Sequence, residues 1–287
     1  MAMKKEPVII KGGDYTGERA LFMTHNAVIE DVLFHDGESP LKESSDLVIN
    51  NATFQWKYPL WYGSNIEVNN SKILETARSG IWYTTHMTMN NCVIDGPKYF
   101  RRAGFITLNN CELNHGEETF WGAHDVKLNN VTVKGNYFLM NVTNAEIDNM
   151  RVDGDYLLDG AKNVTIKNCV LNSKDSFWNT ENVTVINCKI VGEYLAWNSK
   201  NITFIDCEIS SLQGLCYIQG LKMINCKLLD TNLCFEYCED IDADIVDEID
   251  SVKNPISGVI KCPGVKELII DQNTRDHNNA FKLEIKK

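Results

Sequence analysis

No apolar run in this 287-residue chain approaches the ~20 residues that cross a bilayer as a helix. Basic residues are also scarce: 28 Lys and Arg stand against 39 Asp and Glu, a formal net charge of −11. Nucleic acid and anionic membranes need a basic face, so neither is expected as a partner. The first residues, Met1 to Pro7, lead only into Val8-Ile9-Ile10, short of the roughly 7–15 apolar residues of an export signal. A cytoplasmic location is the expectation. The ten cysteines then stay reduced and are not read as a disulfide framework. No CxxC pair or histidine cluster accompanies them, so no metal is expected. Missing as well are G-x-S-x-G, a phosphate loop, H-E-x-x-H and a dinucleotide fingerprint, and no cofactor is expected. The histidines, His25, His35, His86, His115, His124 and His277, are scattered. His115 and His124 flank the segment from Glu117 to Trp121 and are candidates to support it.

What the chain does contain is a repeat. Asn163-Val164-Thr165-Ile166-Lys167-Asn168-Cys169-Val170-Leu171 returns as Asn182 to Ile190 and again as Asn201 to Ile209. Weaker copies begin at Asn26, Asp46, Asn65, His86, Phe105, Asp125, Asn144, Gly220 and Asp240, at intervals of 19 to 21 residues. Within a copy the second, fourth and ninth positions are apolar and the residues between are polar, the alternation of a half-buried strand. The sixth position is Asn in nine copies, from Asn51 to Asn225, with Asp31 and Asp206 as variants. Asn tolerates the left-handed region at a bend, and one amide per coil can bond the next along the axis. The seventh position carries Cys92, Cys111, Cys169, Cys188, Cys207 and Cys226, read as small interior groups.

A coil of this length holds two or three short strands with their turns. The expected fold is all-β, a right-handed parallel β-helix of about twelve coils of 19–20 residues forming one domain over 1–287. Residues 1–25 are its N-terminal coil and cap, 26–249 its regular coils, and 250–287 an irregular C-terminal coil and cap.

The position four residues before each copy is the least bland. It reads Lys42, Trp61, Trp82, Arg101, Trp121, Met140, Asp159, Trp178, Trp197, Cys216 and Glu236, and holds five of the six tryptophans. The column before it, including Leu60, Ile81, Phe100, Phe120 and Phe177, is interior, so alternation turns the tryptophan column outward. Tyr83, Arg102, Lys174 and further tyrosines and charges flank it. Indoles beside Arg, Asp and Glu suit sugar recognition, with stacking on pyranose faces and charged hydrogen bonds to hydroxyls. The expected substrate-binding set is Trp61, Trp82, Tyr83, Arg101, Arg102, Trp121, Lys174, Trp178 and Trp197. The same composition suits a partner or self-association surface, or a structural stripe covered by its turns.

Sugar chemistry by carboxylates needs an acid and a base or nucleophile ~5–9.5 Å apart. Asp159 lies in the stripe, with Glu117 and Glu118 two coils earlier and Asp175 about one coil later, so these four are the catalytic candidates. Arg101 and Arg102 can clamp an anionic group. A calcium-assisted lyase using Glu117, Glu118, Asp155 and Asp159 is a further alternative.

The Asn and Cys coil repeat resembles the pectate-lyase-like superfamily of right-handed β-helices, whose members mostly cleave or rearrange carbohydrates. Gly37 to Ser44, Lys57 to Tyr62, Ala77 to Tyr83, Lys174 to Asn179 and Gly192 to Asn198 resemble an uncharacterised bacterial family on this fold. That resemblance covers nearly the whole chain and implies the fold, without an activity. The polygalacturonase pattern and the calcium carboxylates of pectate lyases are absent, so neither mechanism carries over. The expectation is a carbohydrate-active protein, leaning to an enzyme, whose partner is a small saccharide or glycoconjugate. The alternative is a non-catalytic binding or self-association module, a homo-oligomer included.

Overall fold

A computed structural model describes residues 6–271 and 280–286. Met1 to Lys5 of the leader reading, and His277, lie outside the described residues. The fold is all-β, a right-handed parallel β-helix of about 14 turns. Right-handed is the sense that crossover connections between parallel strands adopt almost without exception. The chain divides into two compact units, 1–143 and 144–287.

In the first unit each turn opens with a six-residue strand, His25–Glu30, Ser45–Asn50, Ser64–Asn69 and Thr85–Asn90. These pair in parallel with Ala27, Leu47, Ile66 and Met87 in register, and Ile29, Ile49, Val68 and Met89 likewise. Both rows are buried, because alternation sends every second side chain into the lumen. The chain then bends at Asp31, Asn51, Asn70 and Asn91, all at φ between 51° and 55°. A two-residue strand follows, Leu33–Phe34, Thr53–Phe54, Lys72–Ile73 or Val93–Ile94. Two turns fuse both strands into Gly104–Leu113 and His124–Lys134. The only helical segment among the described residues is one 3-10 turn, Glu75–Ala77.

The second unit repeats the pattern with Lys162–Lys167, Glu181–Ile186 and Lys200–Ile205, stacking Val164, Val183 and Ile202. Beyond the twelve copies lie end coils: Val8–Lys11 pairs with His25–Glu30, and Ser257–Cys262 with Ala280–Ile285.

The bends show why Asn recurs. The expected amide ladder is present: Asn51 donates to Asp31, Asn91 to Asn70, Asn110 to Asn91 and Asn130 to Asn110. In the second unit Asn187 donates to Asn168, and Asn225 to Asp206. Every donor sits one coil after its acceptor, so the ladder has a direction. The position before the bend forms another ladder, Asn69 to Asn50, Asn90 to Asn69 and Asn109 to Asn90. All ten cysteines are free and buried. Those after the bend are more than apolar filler. Cys188, Cys207 and Cys226 each donate Sγ–H to the carbonyl two residues back, as Ser71 Oγ–H does in its coil. A small polarisable group there satisfies backbone that the bend leaves unpaired.

Candidate active site

Within the first unit the stripe is a stacked ladder. The Trp61 and Trp82 rings lie 5.1 Å apart and 10° from parallel. The Arg101 guanidinium follows, 5.3 Å from the Trp82 centroid and 5.1 Å from that of Trp121. Trp61 and Trp82 donate their indole N–H groups to the Ser79 and Lys98 carbonyls, which fixes ring orientation. Beside them Tyr62 and Tyr83 stack at 5.0 Å. The column expected to face outward is therefore half-buried, because each ring covers its neighbour at the coil spacing. Free indole faces for sugar stacking are not available at Trp61 or Trp82.

Trp121 is the exception. It is 38% exposed, and the next rung, Met140, carries no ring. Gly122 beside it stands at φ +66°, where an added Cβ would meet nothing nearer than Arg102 Cγ at 3.9 Å. The part-exposed indole thus stands beside Gly122, whose surroundings are open, and near exposed Arg102. Arg101 is committed beneath it: it pairs with Glu118, to which Lys98 also reaches at 3.7 Å. Arg101 Nε is buried without a hydrogen-bond partner. Glu118 is therefore held as a counter-ion, and Glu117 stands half-buried next to it.

In the second unit Tyr156 packs edge-on against Trp178, Trp178 lies 5.5 Å from Trp197, and Trp197 stacks on Tyr217 at 5.4 Å. Asp159 accepts a bond from Asn179, which accepts one from Asn198. It is the acceptor end of a third amide ladder, a structural assignment sufficient to explain it. Asp175 differs. Strand Asp175–Ser176 pairs with Tyr194 and Leu195, and the Asp175 side chain is 3% exposed with Oδ1 lacking any partner. Burial raises its carboxyl above the ordinary range; the Lys174 ammonium opposes, the Asp155 and Glu193 charges add, and a Tyr156 hydrogen bond opposes. Lys174 pairs with Glu193 at 3.4 Å and its amide donates to Asp155. Three carboxylates thus share one ammonium, and the most buried of them is pushed toward its protonated form.

Sequence reasoning missed two groupings. Glu236, 7% exposed, pairs with Lys253 at 2.9 Å and accepts from Gln213 at 2.6 Å. Lys253 lies beyond the last clear copy, so no column pointed to it. His86 stacks on Phe105 at 4.5 Å and His124 meets that ring edge-on, with His124 bound to Asp125. Gly104 makes room for that imidazole, since a Cβ there would lie 2.3 Å from it. His115 bonds the Asp95 carbonyl. Among the described residues no group of three or more His, Cys, Asp and Glu side chains is placed to hold a metal.

A depression in the second unit lies on residues other than those of the stripe. A groove of about 570 Å³ in the second unit follows the bend ladder, lined by Asn168, Asn187, Asp206 and Asn225 with Lys189, Glu208 and Lys227 on its wall.

A solenoid with this aromatic and acidic face defines a protein of the β-helix class. The chain belongs to the family described as Protein of unknown function (DUF3737), which matches residues 8–283. No curated protein matches it significantly by sequence. Among solved structures, the A-module of the Azotobacter vinelandii mannuronan C-5 epimerase AlgE6 is 11% identical, covers 98% of this chain and 91% of its own, and has a TM-score of 0.47. The PL6 family alginate lyase AlyGC is 10% identical over 99% of this chain and 51% of its own, at 0.35. PfbA, a surface adhesin of Streptococcus pneumoniae, is 10% identical over 94% and 76%, at 0.25. At these values the likenesses assign no activity to this chain.

Proposed function

We propose that this is a cytoplasmic, carbohydrate-active enzyme that acts on a small saccharide or glycoconjugate by carboxylate acid/base chemistry. The observation that carries the reading is Asp175, a buried carboxyl with an unpartnered oxygen, held toward its protonated form among Asp155, Glu193 and aromatic side chains. Such a group suits a general acid, and a neighbouring carboxyl, Asp155 or Glu193, suits the base. Hydrolysis and isomerisation both need that pair. In the first unit part-exposed Trp121 would offer its indole to a pyranose, and Arg102 an anchor for hydroxyls or an anionic substituent.

A second reading is favoured by the covered indoles. A surface that shows ring edges flanked by Tyr and Arg has the make-up of interface hot spots, and would dock a partner or a second copy. A thermal-shift screen against mono- and oligosaccharides, sugar acids and sugar phosphates separates the two. A sugar at ~100 times its Kd is expected to add about 2.7 kcal/mol of stability, and Trp121→Ala is expected to remove that gain. If no sugar shifts the wild type, and Trp121→Ala instead dissociates dimers in sedimentation, the docking surface replaces the enzyme.

A further inference from the structure

Two strands of this fold end on open sheet edges. Among the described residues, Val8–Lys11 pairs only with His25–Glu30, and Ala280–Ile285 only with Ser257–Cys262. In each unit the lumen rows lose their cover there. Ala27 is buried, whereas Val8, in register with it, is 56% exposed. Cys262 is buried, whereas Ile285, in register with it, is equally exposed. An apolar edge is normally blunted by a bulge or by a charge turned toward the core. Neither strand has one: Val8 and Ile10, and Phe281, Leu283 and Ile285, fill the lumen-facing positions.

The two edges also complement each other. A parallel strand offers alternate residues to its two sides. Gly12 N–H donates back into the sheet, to Glu30, so Ile9 and Lys11 turn their backbone groups to the open side. Lys286 N–H donates back to Cys262, so Phe281, Leu283 and Ile285 turn theirs to the open side. With Leu283 set opposite Ile10, the Leu283 N–H meets the Ile9 carbonyl and the Lys11 N–H meets the Leu283 carbonyl. That register continues both lumen rows, Phe281 onto Val8 and Leu283 onto Ile10. It also sets Glu284 opposite Lys11. The column of these two residues already alternates in sign at each edge. Asp244, Lys261 and Glu284 are in register at one, and Lys11 and Glu30 at the other, 3.2 Å apart. Joining Glu284 to Lys11 keeps the alternation unbroken. A shift of two residues in either direction sets Glu284 against Ile9 or Gly13 and loses the pair.

We infer that Ala280–Ile285 of one copy binds Val8–Lys11 of a second copy as a further parallel strand, with Leu283 opposite Ile10 and Glu284 opposite Lys11. The contact joins two different surfaces, so it is heterologous, and each copy added leaves one edge of each kind free. These edges share no residue with the aromatic stripe or the Asp175 grouping, so the contact stands or falls apart from the sugar reading.

The test is sedimentation velocity of the full chain over a concentration series, with circular dichroism as the control for folding. Ile9→Pro and Leu283→Pro each delete one N–H on an open edge, where strands tolerate proline, and no hydrogen bond within the chain. Wild type is expected to gain mass with concentration, and each variant alone to stay monomeric. An equimolar mixture of the two is expected to stop at dimers, because Ile9→Pro keeps its Ala280–Ile285 edge and Leu283→Pro its Val8–Lys11 edge. Ile9→Lys, at an exposed side chain, sets an ammonium opposite Lys282 and is expected to block association without proline. Trp121→Ala is expected to associate as wild type does. A wild type that stays monomeric at every concentration overturns the inference. So do oligomers that survive Ile9→Pro and Ile9→Lys, or a mixture of folded variants that forms no dimer. Association lost in Trp121→Ala overturns it as well, and moves the interface to the stripe.

Discussion

Asp175→Asn is expected to slow turnover by about 10²–10⁴ and, at neutral pH, to make the protein more stable. The carboxyl lies buried with Oδ1 unpartnered, and its charge is opposed by burial and by Asp155 and Glu193. An amide still accepts from Tyr156 and costs less to bury than a charge. Losing a general acid costs about 10²–10⁴ in rate. The sign in pH follows from proton binding. With the folded value raised above the ordinary 3.8, the native state holds more protons than the unfolded chain between those two values, so wild-type stability falls as pH rises through that window. Above it the full penalty persists. The Asn variant lacks this titration, so its advantage, about 1 kcal/mol for a buried group left without a partner, is present at pH 7 and vanishes toward pH 3. Denaturant titrations of both proteins at several pH values measure it. A variant less stable than wild type at pH 7, with an unchanged pH profile, would make Asp175 a structural anchor and sink its role as acid.

The fold was legible because the repeat states it in each coil. Ile29, Ile49, Val68 and Met89 share a column in the sequence and a row in the lumen, since one coil displaces the chain by one strand spacing. The bend at the sixth position was readable from Asn alone. The bend at the first position was not read, although Asp46, Asn65, Asn163, Asn182 and Asn201 also stand there in the left-handed region. That column carries Asn, Asp or Gly in every copy but two, and His86 and Phe105 keep the same φ at a steric cost. The departure was the available signal for the His86, Phe105 and His124 grouping.

The candidate site was legible as a column and not as a set of roles. Alternation placed Trp61, Trp82 and Trp121 on one stripe, but alternation cannot say that coil spacing equals ring-stacking distance. Nor can it distinguish Asp159, tied into an amide ladder, from Asp175, left with a bare oxygen. That difference depends on whether a neighbouring coil supplies a donor. Such donors come from residues about 20 apart, which no local pattern connects.

Phe120→Ala is expected to carry the largest stability loss in the first unit, about 3–5 kcal/mol. Phe120 is fully buried, stacked on Phe100 at 4.5 Å and edge-on to Phe138 at 5.7 Å. It also holds φ +65°, a region that costs a bulky residue roughly 1–2 kcal/mol. Alanine keeps a Cβ, so it keeps that strain and loses the burial that offsets it. A solenoid coil contacts only its neighbours, so the damage should stay local. Hydrogen exchange is expected to rise in Gly104–Leu113 and His124–Lys134, which flank the cavity in sequence and pair with each other, while Val8–Lys11 keeps its protection. Trp121 follows Phe120 directly, so the same change should loosen the indole over Arg101 and weaken any sugar held against it. Phe120→Leu, which refills much of the volume, should recover most of the stability and with it the binding. Equal exchange in every coil after Phe120→Ala would mean that the unit opens as a whole, and would refute the local reading of its stability.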